Sequence, residues 1–136
     1  MDIKIVRDKI ALEELKQMAE GSFLDFVKAV VDIRREVIAV GGDMHADAEE
    51  ELLKDGSSQS DLWGINIFPG KPQEQVVEFS SLINIRPRDG NRTMEIQSDE
   101  VRNKIREIIS KLIVIPVQTR IQEMGAGLPD QSLPRT

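Results

Sequence analysis

The chain has 136 residues, of which 40% are hydrophobic and 31% are charged, as is typical of one soluble globular domain. It contains no cysteine, which excludes disulfides, thiolate nucleophiles and cysteine-ligated zinc. The net charge of −6 disfavours diffuse binding to nucleic acid, and no apolar run is long enough to span a membrane. The first residues lack the apolar core of a signal peptide, so we expect a cytoplasmic protein that binds neither membrane nor nucleic acid.

The first third of the chain alternates between strand and helix patterns. A short strand is predicted over 3–6, followed by a helix between an Asp8 cap and Gly21. The segment that follows is rich in Val and Ile and breaks at two arginines, which predicts a β-hairpin with strands near 26–33 and 36–41. The alternative is a single helix through this segment, and the density of β-branched residues argues against it.

The rest of the chain adds two helices and two or three strands. A helix capped by Asp43 is predicted up to residue 55, a strand over 61–68, and the longest strand over 75–86. A short strand over 93–96 is optional, and the Ser98-capped helix that follows has a clear apolar stripe.

This order of elements predicts an α+β fold. We expect a two-layer sandwich in which three helices cover one face of a mainly antiparallel sheet of four or five strands. The single domain should span 1–115. Proline and glycine punctuate the remainder, which predicts a flexible C-terminal tail over 116–136.

Three strings in the chain resemble a family of small prokaryotic proteins of unknown function: HADAEEELL, DLWGINIFP and SLINIRPRDGNRTMEI. The resemblance covers residues 25–113. It implies a single small domain of prokaryotic origin. Because that family has no assigned activity, the resemblance implies no catalytic or binding residue.

The only histidine gives the first candidate site. His45 and Glu49 are four residues apart, so they share a helix face and could form an acid/base pair or hold a metal. An all-oxygen magnesium site from Asp43, Asp47 and Glu49 is an alternative. Acidic residues at a helix start are also explained by the helix dipole, and no second histidine or HExxH motif exists. We therefore predict a structural His45, no metal and no cofactor.

A polar face of the predicted sheet, with the loop that follows it, gives the second candidate site. Its donors and acceptors suit a carboxylate or phosphate group. The predicted binding residues are Asn66, Glu78, Asn84, Arg86, Arg88, Asn91 and Arg92. The alternative is an ordinary solvated face with weak cross-strand pairs.

Two functions stay open at this point. The first is a binding or interaction module that uses the polar face and the arginine-rich loop. Its partner would be a protein or a small anionic ligand, and a homodimer is one arrangement that could join the acidic helix to the arginine-rich loop. The second is a small enzyme with His45 as acid/base and Arg86 or Arg92 as the anion holder. We favour the binding module because small enzymes usually show a denser set of catalytic residues.

Overall fold

A computed structural model describes residues 2–114, which build a five-stranded antiparallel sheet between helices. The strands are β1 (Ile3–Val6), β2 (Ile10–Ala11), β3 (Val27–Asp32), β4 (Val37–Gly41), β5 (Leu62–Ile67), β6 (Val77–Glu78) and β7 (Ile113–Val114). The helices are α1 (Leu12–Glu20), α2 (His45–Lys54) and α3 (Asp99–Leu112). The order in the sheet is β1-β4-β3-β5-β6, and β2 pairs in parallel with β7 apart from it.

The predicted hairpin is confirmed as β3 and β4, and a buried side chain fixes its turn. Asp32 is fully buried, and its Oδ1 accepts hydrogen bonds from the backbone N–H groups of Arg34 and Arg35, each at 2.9 Å. Its Oδ2 accepts a hydrogen bond of 2.6 Å from the hydroxyl of Ser57. Glu36 closes the turn in the left-handed region, with φ of 59°. The side chain of Asp32 thus replaces the Asn-Gly signal that the sequence lacks.

Two apolar cores lie on opposite faces of the sheet. The larger contains Leu15 of α1 and Ile105 of α3, together with Val31 of β3. The smaller contains Leu52 of α2 and Val30 of β3. Adjacent residues of one strand point to opposite faces, so the helices cover both faces. The α+β class, the five-stranded antiparallel sheet and its three helices are confirmed, and helices on both faces add a layer to the expected two.

The long strand predicted over 75–86 is wrong. Only Val77–Glu78 pairs with β5 as a strand; Ser80 makes one isolated bridge, to Glu95, and the chain then forms a 3₁₀ turn at Leu82–Asn84. The hydroxyl of Ser81 accepts a hydrogen bond of 3.2 Å from the backbone N–H of Ile83 and starts this turn. Such local side-chain bonds compete with a sheet ladder. The optional strand over 93–96 is reduced to that single bridge.

Helix α3 begins where the sequence predicted, and α2 begins one residue later than predicted. Ser98 caps α3 as predicted, because its hydroxyl accepts a hydrogen bond of 3.2 Å from the N–H of Val101. At α2 the cap position is Met44, one residue after the predicted Asp43. The carboxylate of Asp47 accepts a hydrogen bond of 3.3 Å from the N–H of Met44, which satisfies one of the open donors there.

The N-terminal helix begins later than predicted. Ile10–Ala11 pair with β7, so α1 starts at Leu12 and Asp8 does not cap it. Within residues 2–114 no helix has the length and apolar character needed to cross a membrane. The tail predicted over 116–136 lies outside the described residues, and the single domain over 1–115 stays a prediction.

Candidate functional site

A cleft of about 370 Å³ lies where α2 begins and faces β5 and β6. We call it the His45 cleft. Its lining residues come from β3 and α2 with the residue that precedes each of them, from β5, from β6 and from the chain after β6: Phe26, Lys28, Met44, His45, Ala46, Asn66, Glu78, Ser80, Ser81, Leu82, Ile83 and Met94. The cleft brings together three predicted site residues, His45, Asn66 and Glu78. From the sequence, His45 belonged to one candidate site, and Asn66 and Glu78 belonged to the other.

His45 is the first residue of α2, and its ring is bound to the sheet. It is only 8% exposed, and its Nε2 donates a hydrogen bond of 2.8 Å to the backbone oxygen of Ile65. A carbonyl oxygen can only accept, so Nε2 carries the proton. Burial has the largest effect on the pKa of His45 and lowers it, and the charge of Lys28 lowers it further, whereas the bond to Ile65 and the side chain of Asn66 raise it. A neutral His45 therefore keeps Nδ1 as an acceptor.

Asn66 and Glu78 are direct neighbours across β5 and β6. The Asn66 side-chain amide donates a hydrogen bond of 2.7 Å to Oε1 of Glu78 and a longer one of 3.4 Å to the backbone oxygen of Ser80. These acceptors fix the orientation of the amide. Its Oδ1 is buried and makes no hydrogen bond of standard geometry among residues 2–114, although Asn66 lies close enough to the ring of His45 to raise the pKa of that histidine. An unpaired buried acceptor costs about 1–3 kcal/mol, and the two hydrogen bonds that the amide donates offset most of this cost.

The rim of the cleft is apolar and unusually exposed. Met44, Leu82 and Met94 are 57%, 67% and 42% exposed, respectively. Phe26 continues this surface, because its ring stacks on Phe23 with 4.9 Å between the ring centroids. Large apolar side chains gathered around a polar centre are typical of surfaces that bind other molecules.

Two predicted binding residues, Asn84 and Asn91, are buried and fully paired. The Asn84 side chain accepts a hydrogen bond of 2.8 Å from the N–H of Gly64 and donates bonds of 3.0 and 3.1 Å to the oxygens of Gly64 and Met94. The Asn91 amide donates a bond of 2.8 Å to the oxygen of Asn84, and its Oδ1 accepts one of 2.8 Å from the N–H of Gln97. We call these contacts the Asn84–Asn91 network. It holds the segment 80–97 against β5.

Gly64 is what allows this segment to approach β5. A Cβ atom at Gly64 would lie 2.5 Å from Cβ of Ser81, which is closer than real atoms come. A glycine inside a strand is a known sign of close backbone approach. The glycine in LWGINI was therefore the available signal that a loop, and not a regular neighbouring strand, covers this part of β5.

The arginines of the predicted loop do not converge. The guanidinium of Arg86 lies 4.0 Å from the ring centroid of Trp63 and donates a hydrogen bond of 2.8 Å to the backbone oxygen of Gln59. Burial lowers the pKa of Arg86, while nearby carboxylates raise it. Arg88 and Arg92 are exposed, and none of the three arginines lines the His45 cleft.

Neither the acid/base pair of the alternative function nor a metal cluster is formed in the part of the chain that the structure describes. His45 bonds to Ile65 and makes no hydrogen bond to Glu49, which is half-buried on α2. No group of three or more His, Asp or Glu side chains in residues 2–114 is arranged to hold a metal ion. Asp47, a candidate for magnesium, bonds the backbone of Met44.

A family model described as a protein of unknown function (DUF5674) matches residues 4–112. The chain belongs to this family. The match confirms the resemblance drawn from the three strings and extends it to β1, while a prokaryotic origin stays a prediction. No curated protein and no solved structure matches the chain.

The DUF5674 match includes every residue that lines the His45 cleft and the whole Asn84–Asn91 network. It ends at Leu112, the last residue of α3, so β7 lies outside it. The family description assigns no role to any residue. The choice of site therefore depends on the geometry of the cleft.

Proposed function

We propose that this DUF5674 protein is a binding module that recognises a partner protein through the His45 cleft. The observation that supports the proposal is the gathering of Met44, Leu82 and Met94, all exposed, around a polar floor. Interfaces commonly combine an apolar surface with a few oriented polar groups, and methionine adapts well to irregular partners. A second copy of this chain is one such partner.

The enzyme alternative has weaker support. His45 could act as a base only through Nδ1, because its Nε2–H donates to the oxygen of Ile65. Arg86, the proposed anion holder, stacks on Trp63 and bonds to Gln59, outside the cleft. Catalysis needs the base and the anion holder on the same substrate, and this arrangement does not supply that.

Site-specific cross-linking in cells tests the proposal. A photoreactive phenylalanine analogue placed at Leu82 should cross-link to a discrete partner, or to a second copy of the chain. The same analogue placed at Ile85, also exposed but outside the cleft, should not. Equal products from both positions, or none from Leu82, would contradict the proposal.

The identified partner then allows an affinity measurement with matched variants. Met44→Ala removes most of an apolar side chain from the rim of the cleft and should weaken binding about tenfold. Leu53→Ala is the control, because Leu53 belongs to the helix that Met44 caps, is 41% exposed and does not line the cleft. Equal losses in the two variants would mean that the cleft is not the interface.

A further inference from the structure

We propose that the group of the partner protein that enters the His45 cleft is a basic side chain, an arginine or a lysine. This inference rests on the proposed function and names the chemistry of its occupant. The charged end would meet the polar floor, and the aliphatic stem would pack on the apolar rim. The sequence alone had suggested an anionic ligand for the polar face.

The floor of the cleft offers hydrogen-bond acceptors. Oδ1 of Asn66 is buried and lacks a donor among the described residues, and the amide orientation that leaves it unpaired is fixed by the bond to Glu78. Glu78 uses Oε1 in that bond, and its carboxylate supplies a negative charge. A guanidinium or ammonium group carries only donors, so it matches both residues. A carboxylate or phosphate offers no donor to the oxygen of Asn66 and would meet the charge of Glu78, and Lys28 is the one charged group of the lining that would attract it.

His45 adds to this preference. Since Nε2–H is used by the oxygen of Ile65, the ring atom that remains is the acceptor Nδ1. The buried ring does not place a second positive charge in the cleft at neutral pH. A cation therefore meets no repulsion from His45.

One cation, Lys28, lines the cleft, and its charge opposes a second cation there. Its Nζ lies 5.2 Å from the ring centroid of Phe23, which is outside the cleft lining, and the carboxylate of Glu78, which also lines the cleft, offsets its charge. At the start of α2, the carboxylate of Asp47 accepts the N–H of Met44 and offsets the helix dipole. The chain as a whole carries a net charge of −6, which attracts a basic partner over a longer range.

The rim fits the rest of such a side chain. Arginine and lysine carry three or four methylene groups below the charge, and these bury well against apolar surface. The flexible side chains of Met44 and Met94 can close around a narrow aliphatic stem. A flat anion would leave this rim exposed.

Three capped peptides that differ at one position test the inference on the full chain. They are acetyl-Ala-Leu-X-Leu-Ala-amide with X as arginine, as citrulline or as glutamate. Citrulline keeps the shape of arginine and removes its charge. Titrations followed by amide NMR should move the resonances of Ala46, Asn66 and Ser81, and the arginine peptide should bind about tenfold more tightly than the citrulline peptide.

Matched variants assign the effect to one carboxylate. Glu78→Gln keeps an acceptor for the Asn66 amide and should remove the preference for arginine over citrulline. Glu50→Gln removes a charge from the exposed face of α2 outside the cleft and should retain it. Equal binding of arginine and citrulline, tighter binding of glutamate, or no shift at the cleft would overturn the inference. The Leu82 cross-link and the Met44→Ala loss would still stand in that case, so the two proposals fail separately.

Discussion

The Asn84–Asn91 network and the floor of the His45 cleft use the same kind of side chain in opposite ways. Asn84 binds β5 at Gly64, and Asn66 lies two residues further along that strand. Every polar atom of the Asn84 side chain is paired, whereas Oδ1 of Asn66 has no partner among the described residues. The folded structure alone accounts for a buried amide whose polar atoms are all paired. A buried amide that stays partly unpaired beside a cleft indicates that a ligand supplies the missing partner.

The largest expected effect is the loss of stability in Asn84→Thr. Threonine cannot bond both the N–H and the oxygen of Gly64, so buried groups lose their partners. We expect the free energy of unfolding to fall by about 3 kcal/mol in urea denaturation. A binding residue kept at the expense of folding would instead give a neutral or stabilising change. That result would mean that the pairing of Asn84 is not needed for folding, and that Asn84 and Asn66 do not differ in this respect.

A smaller effect should come from His45→Gln, and it should depend on pH. The unfolded chain takes up a proton at histidine below its ordinary pKa of 6.5, whereas folded His45 resists protonation because burial lowers its pKa. The free energy of unfolding of the wild type should therefore fall as the pH drops from about 7 to about 5, by at most about 1.4 kcal/mol per pH unit. The slope should be absent in His45→Gln. A slope that survives in the variant would show that His45 is not its source.

Two surface carboxylates provide an internal control in a different pH range. The hydrogen bond from Lys104 holds the pKa of Glu36 at about 2, and Lys111 adds to it. Hydrogen bonds from Arg7 and Arg35 hold the pKa of Asp55 at about 2. Their stabilising effect is complete above the ordinary values of 4.5 and 3.8, and it is lost as the pH falls towards 2. This acid transition should be the same in wild type and His45→Gln.

The smallest expected effect on stability is that of Asn66→Thr. The substitution removes the unpaired Oδ1 and improves strand propensity, while it gives up a bond to the exposed Glu78. We expect a change within about 0.5 kcal/mol in either direction. The same variant should weaken the arginine peptide. A loss as large as that of Asn84→Thr would place Asn66 among the structural residues and remove it from the site.

Local patterns predicted the elements that local contacts hold. The hairpin of β3 and β4 followed from its β-branched residues, and α3 followed from its Ser98 cap and apolar stripe. The prediction of a strand over 75–86 was wrong because the hydrogen bonds of this segment are not those of a sheet. The alternation of apolar and polar residues that suggested a strand is present in the sequence. The hydrogen bonds run through the side chain of Asn84, which bonds to Gly64 in β5, and through that of Asn91, which bonds to residues of its own segment.

The candidate site was predicted in part. His45, Asn66 and Glu78 were named from the sequence, but a helix start and two strands had to be brought together before they became one cleft. Met44 and Leu82 were missed, since exposure of an apolar residue depends on what packs over it. Lys28, the one basic residue of the Val-rich strand β3, was a signal that could have pointed to this face.

The hydrogen bond between Gly64 and Asn84 makes it possible to measure the opening of the segment 80–97 separately from the opening of the sheet. The N–H of Gly64 donates to a side chain of the segment 80–97, whereas β5 is joined to β3 by a ladder that pairs Ile65 with Ala29. In hydrogen–deuterium exchange, the amide of Gly64 should therefore report the opening of that segment alone, and the ladder amides should report the opening of the sheet. The exchange rate of the Gly64 amide proton would therefore measure how often the segment 80–97, which lines part of the His45 cleft, moves away from β5.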